Sequence, residues 1–238
     1  MNVIVVAAGS GKRVGGNLPK QYLLLNGKPV LYYSLKVFEK SSFVKNMSVV
    51  ISRDAQDLYN DFLLKYGADF SKLTSPFFGG EERRDSVFNA MSEISKHFVP
   101  DDNLIAIHDC ARPFLSQDLL KKLYETAETF GGSAPALPLT DTVKEIDNNG
   151  FIVSNPIRES LKAVQTPQVF NFVQYWNAVQ ICKKENIHVT DDTEIYSRFA
   201  EVGKVKLITG DSRLFKITYK EDIERAEKIL AEESEWKF

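Results

Sequence analysis

Short apolar runs rich in β-branched residues alternate along this chain with longer segments of helical periodicity, and that alternation restricts the fold more than any other feature. The runs Val3–Ala7, Ser48–Ile51, Leu104–His108, Lys206–Ile208 and Phe215–Thr218 are predicted strands. Between them Val30–Lys40, Gln56–Tyr66, Glu82–Phe98, Gln117–Phe130, Phe172–Lys184, Asp192–Ala200 and Glu221–Glu233 are predicted helices. In the third helix Val87, Ala90, Met91, Ile94 and Phe98 form one apolar stripe, as a helix covering a sheet face requires. Strands separated by helices need crossover connections, which favour a mostly parallel sheet covered on both faces. The expectation is a three-layer α/β fold.

One segment departs from this rhythm. Thr142–Asp147 and Phe151–Ser154 alternate around Asn148-Asn149-Gly150, a hairpin signal because Asn and Gly tolerate positive φ. Either it is a surface hairpin or an arm that reaches a second subunit. No repeat, low-complexity tract or Pro/Gly/Ser-rich linker marks a boundary, so residues 1–238 are expected to form a single domain.

The composition excludes several classes. With 30 Lys plus Arg against 32 Asp plus Glu the formal net charge of the 238 residues is −2, which argues against a generic nucleic-acid binder. The 43% hydrophobic and 26% charged fractions are those of a soluble globular protein that needs no metal or disulfide to hold its core. Cys110 and Cys182 form no C-x-x-C or disulfide framework, which fits a reducing compartment. The first residues lack a basic n-region, and no apolar run approaches the roughly 20 residues of a membrane span. A cytoplasmic protein with no membrane partner is expected.

The first predicted strand runs into Ala7-Ala8-Gly9-Ser10-Gly11-Lys12-Arg13-Val14-Gly15-Gly16, followed by Pro19-Lys20-Gln21. Glycines let the backbone turn sharply and expose N–H groups to an anion, and the C-terminal edge of a first parallel strand is where α/β folds bind nucleotides. A dinucleotide fingerprint fails, because Val14 stands where the third glycine belongs. A P-loop fails as well, because Val6 and Arg13 stand where Gly and Ser or Thr are required. What remains is a glycine loop bearing Lys12, Arg13 and Lys20, a cluster suited to a polyphosphate or, more simply, to a solvated turn.

Ala7–Arg13 and Pro19–Gln21 are similar to the signature of nucleotidyltransferases that join a nucleoside triphosphate to a sugar phosphate. Further segments narrow the likeness: Gly79-Gly80-Glu81-Glu82-Arg83-Arg84-Asp85-Ser86-Val87, His108-Asp109-Cys110-Ala111-Arg112-Pro113, Gln165-Thr166-Pro167-Gln168 and Thr190-Asp191-Asp192. Together they resemble the 2-C-methyl-D-erythritol 4-phosphate cytidylyltransferase family of the non-mevalonate isoprenoid pathway, in order from Val3 to about Ile229. The resemblance implies a Rossmann-like nucleotidyltransferase fold with a protruding β-hairpin arm over about residues 139–160. It also implies a reaction of CTP with a polyol phosphate, giving a CDP-polyol and pyrophosphate with Mg²⁺. The nucleophile is then a phosphate monoester, already anionic at neutral pH, so positioning and charge stabilisation carry the catalysis. The three histidines form no visible acid/base constellation, which disfavours a Ser-His-Asp hydrolase.

Residue by residue, the resemblance sets Arg13 and Lys20 against the triphosphate as the catalytic cations. Ala8, Gly9, Gly11, Lys12, Gly80, Glu81, Arg83, Ser86 and Asp109 match nucleotide-binding positions, Arg83 being equally suited to a structural ion pair. Asp109 follows an apolar run, at the strand end where a carboxylate can hold Mg²⁺ or cap a turn. His108 and Cys110 beside it are expected to pack, since no second ligand lies at a zinc-like spacing. Thr142, Arg158, Thr166, Thr190 and Lys216 match acceptor-binding positions, with Lys216 in a predicted strand. In the family the residues matching Thr142 and Arg158 come from a partner subunit's arm, which implies a homodimer with shared sites. The chain departs from the family pattern at Asn155-Pro156-Ile157-Arg158, where Asp usually precedes the arginine and where ribitol 5-phosphate cytidylyltransferases carry a proline. Ala7-Ala8, the seven-residue step from Arg13 to Lys20 and Thr190-Asp191-Asp192 favour the methylerythritol acceptor. The alternatives are thus a ribitol 5-phosphate cytidylyltransferase and, in another class, a non-catalytic nucleotide-binding regulator.

Overall fold

The computed structural model describes residues 1–9, 18–97 and 103–236. The first half contains β1 (Asn2–Val6), β2 (Leu24–Leu25), β3 (Lys28–Pro29), α1 (Val30–Lys40), β4 (Asn46–Ile51), α2 (Gln56–Tyr66), β5 (Phe77–Phe78), α3 (Arg83–Ser95), β6 (Leu104–Asp109) and α4 (Gln117–Phe130). The second half contains β7 (Gly132–Pro138), β8 (Glu145–Ile146), β9 (Ile152–Ser154), β10 (Lys162–Val164), β11 (Gln168–Asn171), α5 (Phe172–Lys184), α6 (Asp192–Phe199), β12 (Lys206–Thr209) and α7 (Lys220–Glu232).

The large sheet runs β7-β11-β6-β1-β4-β5, with β10 and β12 also pairing β7. The pairs β1–β6, β1–β4, β4–β5 and β12–β7 are parallel, whereas β11–β6, β11–β7 and β10–β7 are antiparallel. Successive residues of a strand point to opposite faces, and the two faces bury different partners. Val3 and Val5 pack with Leu35 and Phe38 of α1, Tyr59 of α2 and Leu123 of α4. Ile4, Ile105 and Ile107 pack with Val87 and Met91 of α3, Tyr175 and Val179 of α5, and Ile195 of α6. Helices therefore cover both faces, giving the three layers the pattern predicted. A third cluster joins α7 and Trp236 to Val30, Tyr33, Phe114 and Ile217.

Several predicted helices have the bounds read from the sequence, because their ends carry recognisable chemistry. The Ser116 side chain caps α4 by accepting from Leu119 N–H, and Gly131 ends it in the left-handed region at φ 85°. The third helix stops at Ser95, and Phe98 lies outside the described residues. Phe215–Thr218 is not a strand. It runs as an unladdered strap in which Leu214 and Ile217 are fully buried while the carbonyls of both accept side-chain donors. Strand β7 escaped the sequence reading because Gly132, Pro135 and Pro138 resemble breakers. Pro135 needs only its carbonyl there, which accepts from Gln165 N–H at 2.7 Å.

The hairpin forms as β8 and β9, shorter than the two alternating runs. Its turn takes positive φ at Gly150 alone, while Asp147 Oδ1 accepts from the N–H groups of Asn149 and Phe151, each at 2.9 Å. The aspartate anchor and one left-handed glycine replace the expected pair of left-handed residues.

Phe170 of β11 stacks between Tyr175 and Tyr196 at centroid distances of 4.7 and 4.8 Å. Phe170→Ala should destabilise the fold by about 3–5 kcal/mol, the cost of a large buried cavity, as measured by urea unfolding.

Candidate active site

In the parallel register Val6 of β1 lies opposite both Asp109 of β6 and Val50 of β4, so these C-terminal strand ends share one edge. A cleft of about 320 Å³ opens there, lined by Ala8, Gly9, Lys20, Gly80, Glu81, Arg83, Ser86, Asp109 and Lys216. Residues separated by up to 208 positions thus meet at the edge where open α/β sheets take ligands. Gly11, Lys12 and Arg13 lie outside the described residues. Thr166 sits behind the cleft, 4% exposed. Thr190 precedes α6, and Thr142 and Arg158 belong to the arm, where Arg158 Nη1 donates to Thr140 O at 3.0 Å.

Gln21 fixes the exit from β1. Its buried amide donates to Ala7 O at 2.6 Å and Gly9 O at 3.3 Å, which ties the Pro19-Lys20-Gln21 turn to the segment that leaves β1. Lys20 Nζ donates to Ile217 O at 2.9 Å, joining that turn to the strap. On the opposite wall Gly79 N–H continues the β4–β5 pairing by donating to Ile51 O, and a Cβ on Gly79 would lie 2.6 Å from the Ala8 Cβ. Only glycine lets these two walls approach so closely. Gly80 N–H donates to Ser86 Oγ at 3.2 Å, and reciprocal Glu82 and Asp85 side-chain bonds close the first turn of α3.

Asp109 forms the floor. Its Oδ1 accepts from Arg83 Nε at 3.0 Å and its Oδ2 from Lys216 Nζ at 2.7 Å. Burial opposes its charge, but Arg83 and then Lys216 outweigh that and hold the carboxyl far below the usual carboxylate range. Arg83 Nη1 also pairs with Asp192 at 2.7 Å. Burial works against the guanidinium too, yet Asp192 and Asp109 keep it firmly protonated. Tyr175 OH donates to Asp192 Oδ1 at 2.6 Å, so two cations and two carboxylates are linked before any ligand arrives.

Behind this floor Asp109 N–H donates to Thr166 Oγ1 at 3.0 Å. Thr166 Oγ1 lies 3.1 Å from His108 Nδ1, and His108 Nε2 lies 3.1 Å from Arg112 O. Because that carbonyl can only accept, the proton belongs on Nε2, and Nδ1 receives the threonine hydroxyl. Burial pushes the fully enclosed imidazole down to about 4, and burial pushes the Cys110 thiol up to about 12. Both pack, as the sequence suggested, and neither is poised for proton transfer or nucleophilic attack. Arg112, whose Nη1 donates to Leu214 O at 2.9 Å, and Asp192 were not singled out from the sequence, although both stand inside its motifs. Their role depends on partners more than 70 residues distant, which motif spacing does not reveal.

A cleft of glycines and cations at the carboxyl edge of a three-layer α/β sheet suits a phosphate-bearing ligand, and the class of enzyme that similar proteins give it is a nucleotidyltransferase. The sequence profile of the 2-C-methyl-D-erythritol 4-phosphate cytidylyltransferase (IspD) family matches residues 1–232. The protein of that name from Clostridium beijerinckii is 38% identical over 231 residues, covering 97% of this chain and 98% of its own. That from Clostridium perfringens strain 13 is 37% identical, covering 95% and 97%. Among solved structures, 4-diphosphocytidyl-2C-methyl-D-erythritol synthase from Anaerococcus prevotii superposes with a TM-score of 0.82 at 28% identity, covering 97% of this chain and 95% of that one. The Francisella tularensis cytidylyltransferase gives 0.78 at 30% identity, covering 94% and 97%. The chain belongs to the 2-C-methyl-D-erythritol 4-phosphate cytidylyltransferase family.

A buried neutral histidine must gain its proton on unfolding, so the unfolded state binds more protons below the ordinary histidine pKa of about 6.5. Stability should therefore fall as pH drops from about 6.5 toward about 4. His108→Asn should flatten the urea-unfolding slope over the upper part of that window, above the carboxylate range.

Proposed function

We infer that this chain transfers the cytidylyl group of CTP to 2-C-methyl-D-erythritol 4-phosphate, releasing pyrophosphate, within one nucleotidyltransferase domain in the cytoplasm. The observation that carries this reading is the convergence of Arg83 and Lys216 on the ionised Asp109, in a cleft that Lys20 and Gly9 also line. Such a site suits two phosphate-bearing substrates. An oxygen of the acceptor phosphate forms a bond to the α-phosphorus of CTP while the bond from that phosphorus to the bridging oxygen breaks, and the electron pair leaves with pyrophosphate. The attacking group is already an anion, so no side chain has to remove a proton, in keeping with the buried state of His108.

In this reading Ala8, Gly9, Gly11 and Lys12 surround the triphosphate, and Arg13 and Lys20 stabilise the charge that develops at the α-phosphorus. Gly80, Glu81, Arg83 and Ser86 hold the cytosine and ribose, where the glycine backbone admits a base edge. Lys216 and Thr190 serve the acceptor from this subunit, Thr166 supports them from behind the cleft through the Asp109 main chain, and Thr142 and Arg158 come from a partner's arm. The arm itself supports a homodimer: Phe151 and Ile157 are 70% and 72% exposed, and Ile146, Ile152 and Val153 are exposed as well, an unusual amount of apolar side chain for so short a segment.

The donor chemistry at Asp109 fits Mg²⁺. Each of its oxygens accepts one protein hydrogen bond and retains capacity for another contact, and among the described residues no group of three His, Cys, Asp or Glu side chains forms a protein-only cage. Mg²⁺ characteristically takes one or two carboxylates and completes its shell with phosphate oxygens and water. When bound, the ion supplies further charge neutralisation to the triphosphate.

Pyrophosphate release with CTP and Mg²⁺ should depend on 2-C-methyl-D-erythritol 4-phosphate; release with ribitol 5-phosphate instead would transfer the chain to the alternative acceptor suggested by Asn155-Pro156. Lys20→Ala should lower kcat by about 10³-fold, the scale of a cation at a phosphoryl-transfer transition state. Arg158→Ala should raise KM for the acceptor while leaving that for CTP nearly unchanged, and an equal rise in both would refute its assignment to the acceptor.

A further inference from the structure

The motif Gln165-Thr166-Pro167-Gln168 contributes one residue, Thr166, to the proposed site, which leaves two buried primary amides without a function. Gln165 and Gln168 are 5% and 2% exposed, and neither lines the cleft. Burying an amide is unfavourable unless its polar atoms are bonded, and the bonds these two make are directed. Gln165 pairs with the main chain of Asp211 in both directions: Nε2 donates to Asp211 O at 2.8 Å and Oε1 accepts from Asp211 N–H at 3.2 Å. The same Nε2 reaches Leu214 O at 3.2 Å. Gly210 packs against this amide so closely that a Cβ there would lie 2.3 Å from Oε1.

Gln168 does the equivalent for another segment. Its Nε2 donates to Asp191 Oδ2 at 2.8 Å, and its Oε1 accepts from Thr193 N–H at 3.0 Å. Asp191 is the N-cap of α6, accepting from Glu194 N–H, so the amide fixes the helix start that carries Asp192. The two clamped segments each deliver one contact to the cleft floor. The strap held by Gln165 carries Lys216 to Asp109, and the helix start held by Gln168 carries Asp192 to Arg83, which also grips Asp109. Between the glutamines Thr166 receives the main-chain N–H of Asp109 itself.

We propose that Gln165 and Gln168 are positioning residues of the transfer reaction, Gln165 setting Lys216 through the strap and Gln168 setting Arg83 through Asp192. This rests on the function inferred above, since it gives purpose to the groups placed at the cleft. The tetrapeptide is then a hub that registers three separate chain segments against one carboxylate. Groups that orient site residues from behind commonly command roughly 10- to 100-fold in activity. An interchangeable core-filling role predicts instead a general loss of stability with no segment-specific effect.

The test uses Gln165→Leu and Gln168→Leu in the full chain, with amide hydrogen exchange and steady-state kinetics measured on both. Gln165→Leu should speed exchange of residues 211–218 by roughly tenfold while leaving residues 190–195 within about twofold of wild type, and Gln168→Leu should do the reverse. Each should lower kcat/KM by about 10- to 100-fold. In a Lys216→Ala background the Gln165→Leu penalty should shrink to about twofold, while the Gln168→Leu penalty persists. Should Gln165→Leu fold poorly, Gln165→Met, which keeps the side-chain length and removes the amide without adding charge, is subject to the same expectations. Exchange that rises in both segments together, or in neither, overturns the hub. So does a Gln165 penalty undiminished by loss of Lys216. Absence of pyrophosphate release by the wild-type chain would instead overturn the functional reading, which the exchange pattern does not address.

Discussion

A carboxylate enclosed at the end of a central parallel strand has to be matched by positive charge, and Asp109 obtains that match from two distant segments. An ion of this kind left unpaired in a poorly hydrated site would be strongly unfavourable. Arg83 reaches it from the first turn of α3, and Lys216 from a strap more than 100 residues downstream in sequence. Much of the local architecture can be understood as meeting that requirement. Asp192 and Tyr175 secure Arg83, the Leu214 and Ile217 side chains anchor the strap in apolar clusters, and Thr166 fixes the Asp109 main chain.

The same arrangement explains why the cleft suits phosphate chemistry. Cations held in place before binding need little reorganisation when negative charge develops, and in a partly enclosed cleft their effect exceeds what they would have in water. The floor also keeps Lys216 and Arg83 from folding onto the surface. Proton transfer has no place in the scheme, and the only buried imidazole among the described residues is committed through both nitrogens to structural partners.

The sequence revealed the layers more readily than the contacts. Helices α1, α2, α4 and α5 were readable because each carries a strong apolar face or a recognisable cap, as Ser116 and Gly131 illustrate. Strand β10 was too short to announce itself, and β7 was disguised by its glycine and prolines. Lys216 was recognised through its motif position, but the element carrying it was misread. Alternating apolar residues there serve to anchor a strap whose carbonyls bind Lys20 and Arg112, and no ladder partner competes for them. Glycine spacing pointed to the edge where the cleft opens because close backbone approach leaves a local trace. The Arg83–Asp192 pairing leaves none, since it depends on how α3 and α6 pack over one sheet face.

The central claim is that the triphosphate lies between the first glycine loop and the Asp109 floor. A crystal structure of the chain with CTP and Mg²⁺ measures this directly. The account predicts phosphate oxygens within hydrogen-bonding reach of Lys20 and the nucleotide stretched along the Gly80–Ser86 wall. Cytidine triphosphate bound elsewhere, with the space above Asp109 filled only by solvent, would contradict it.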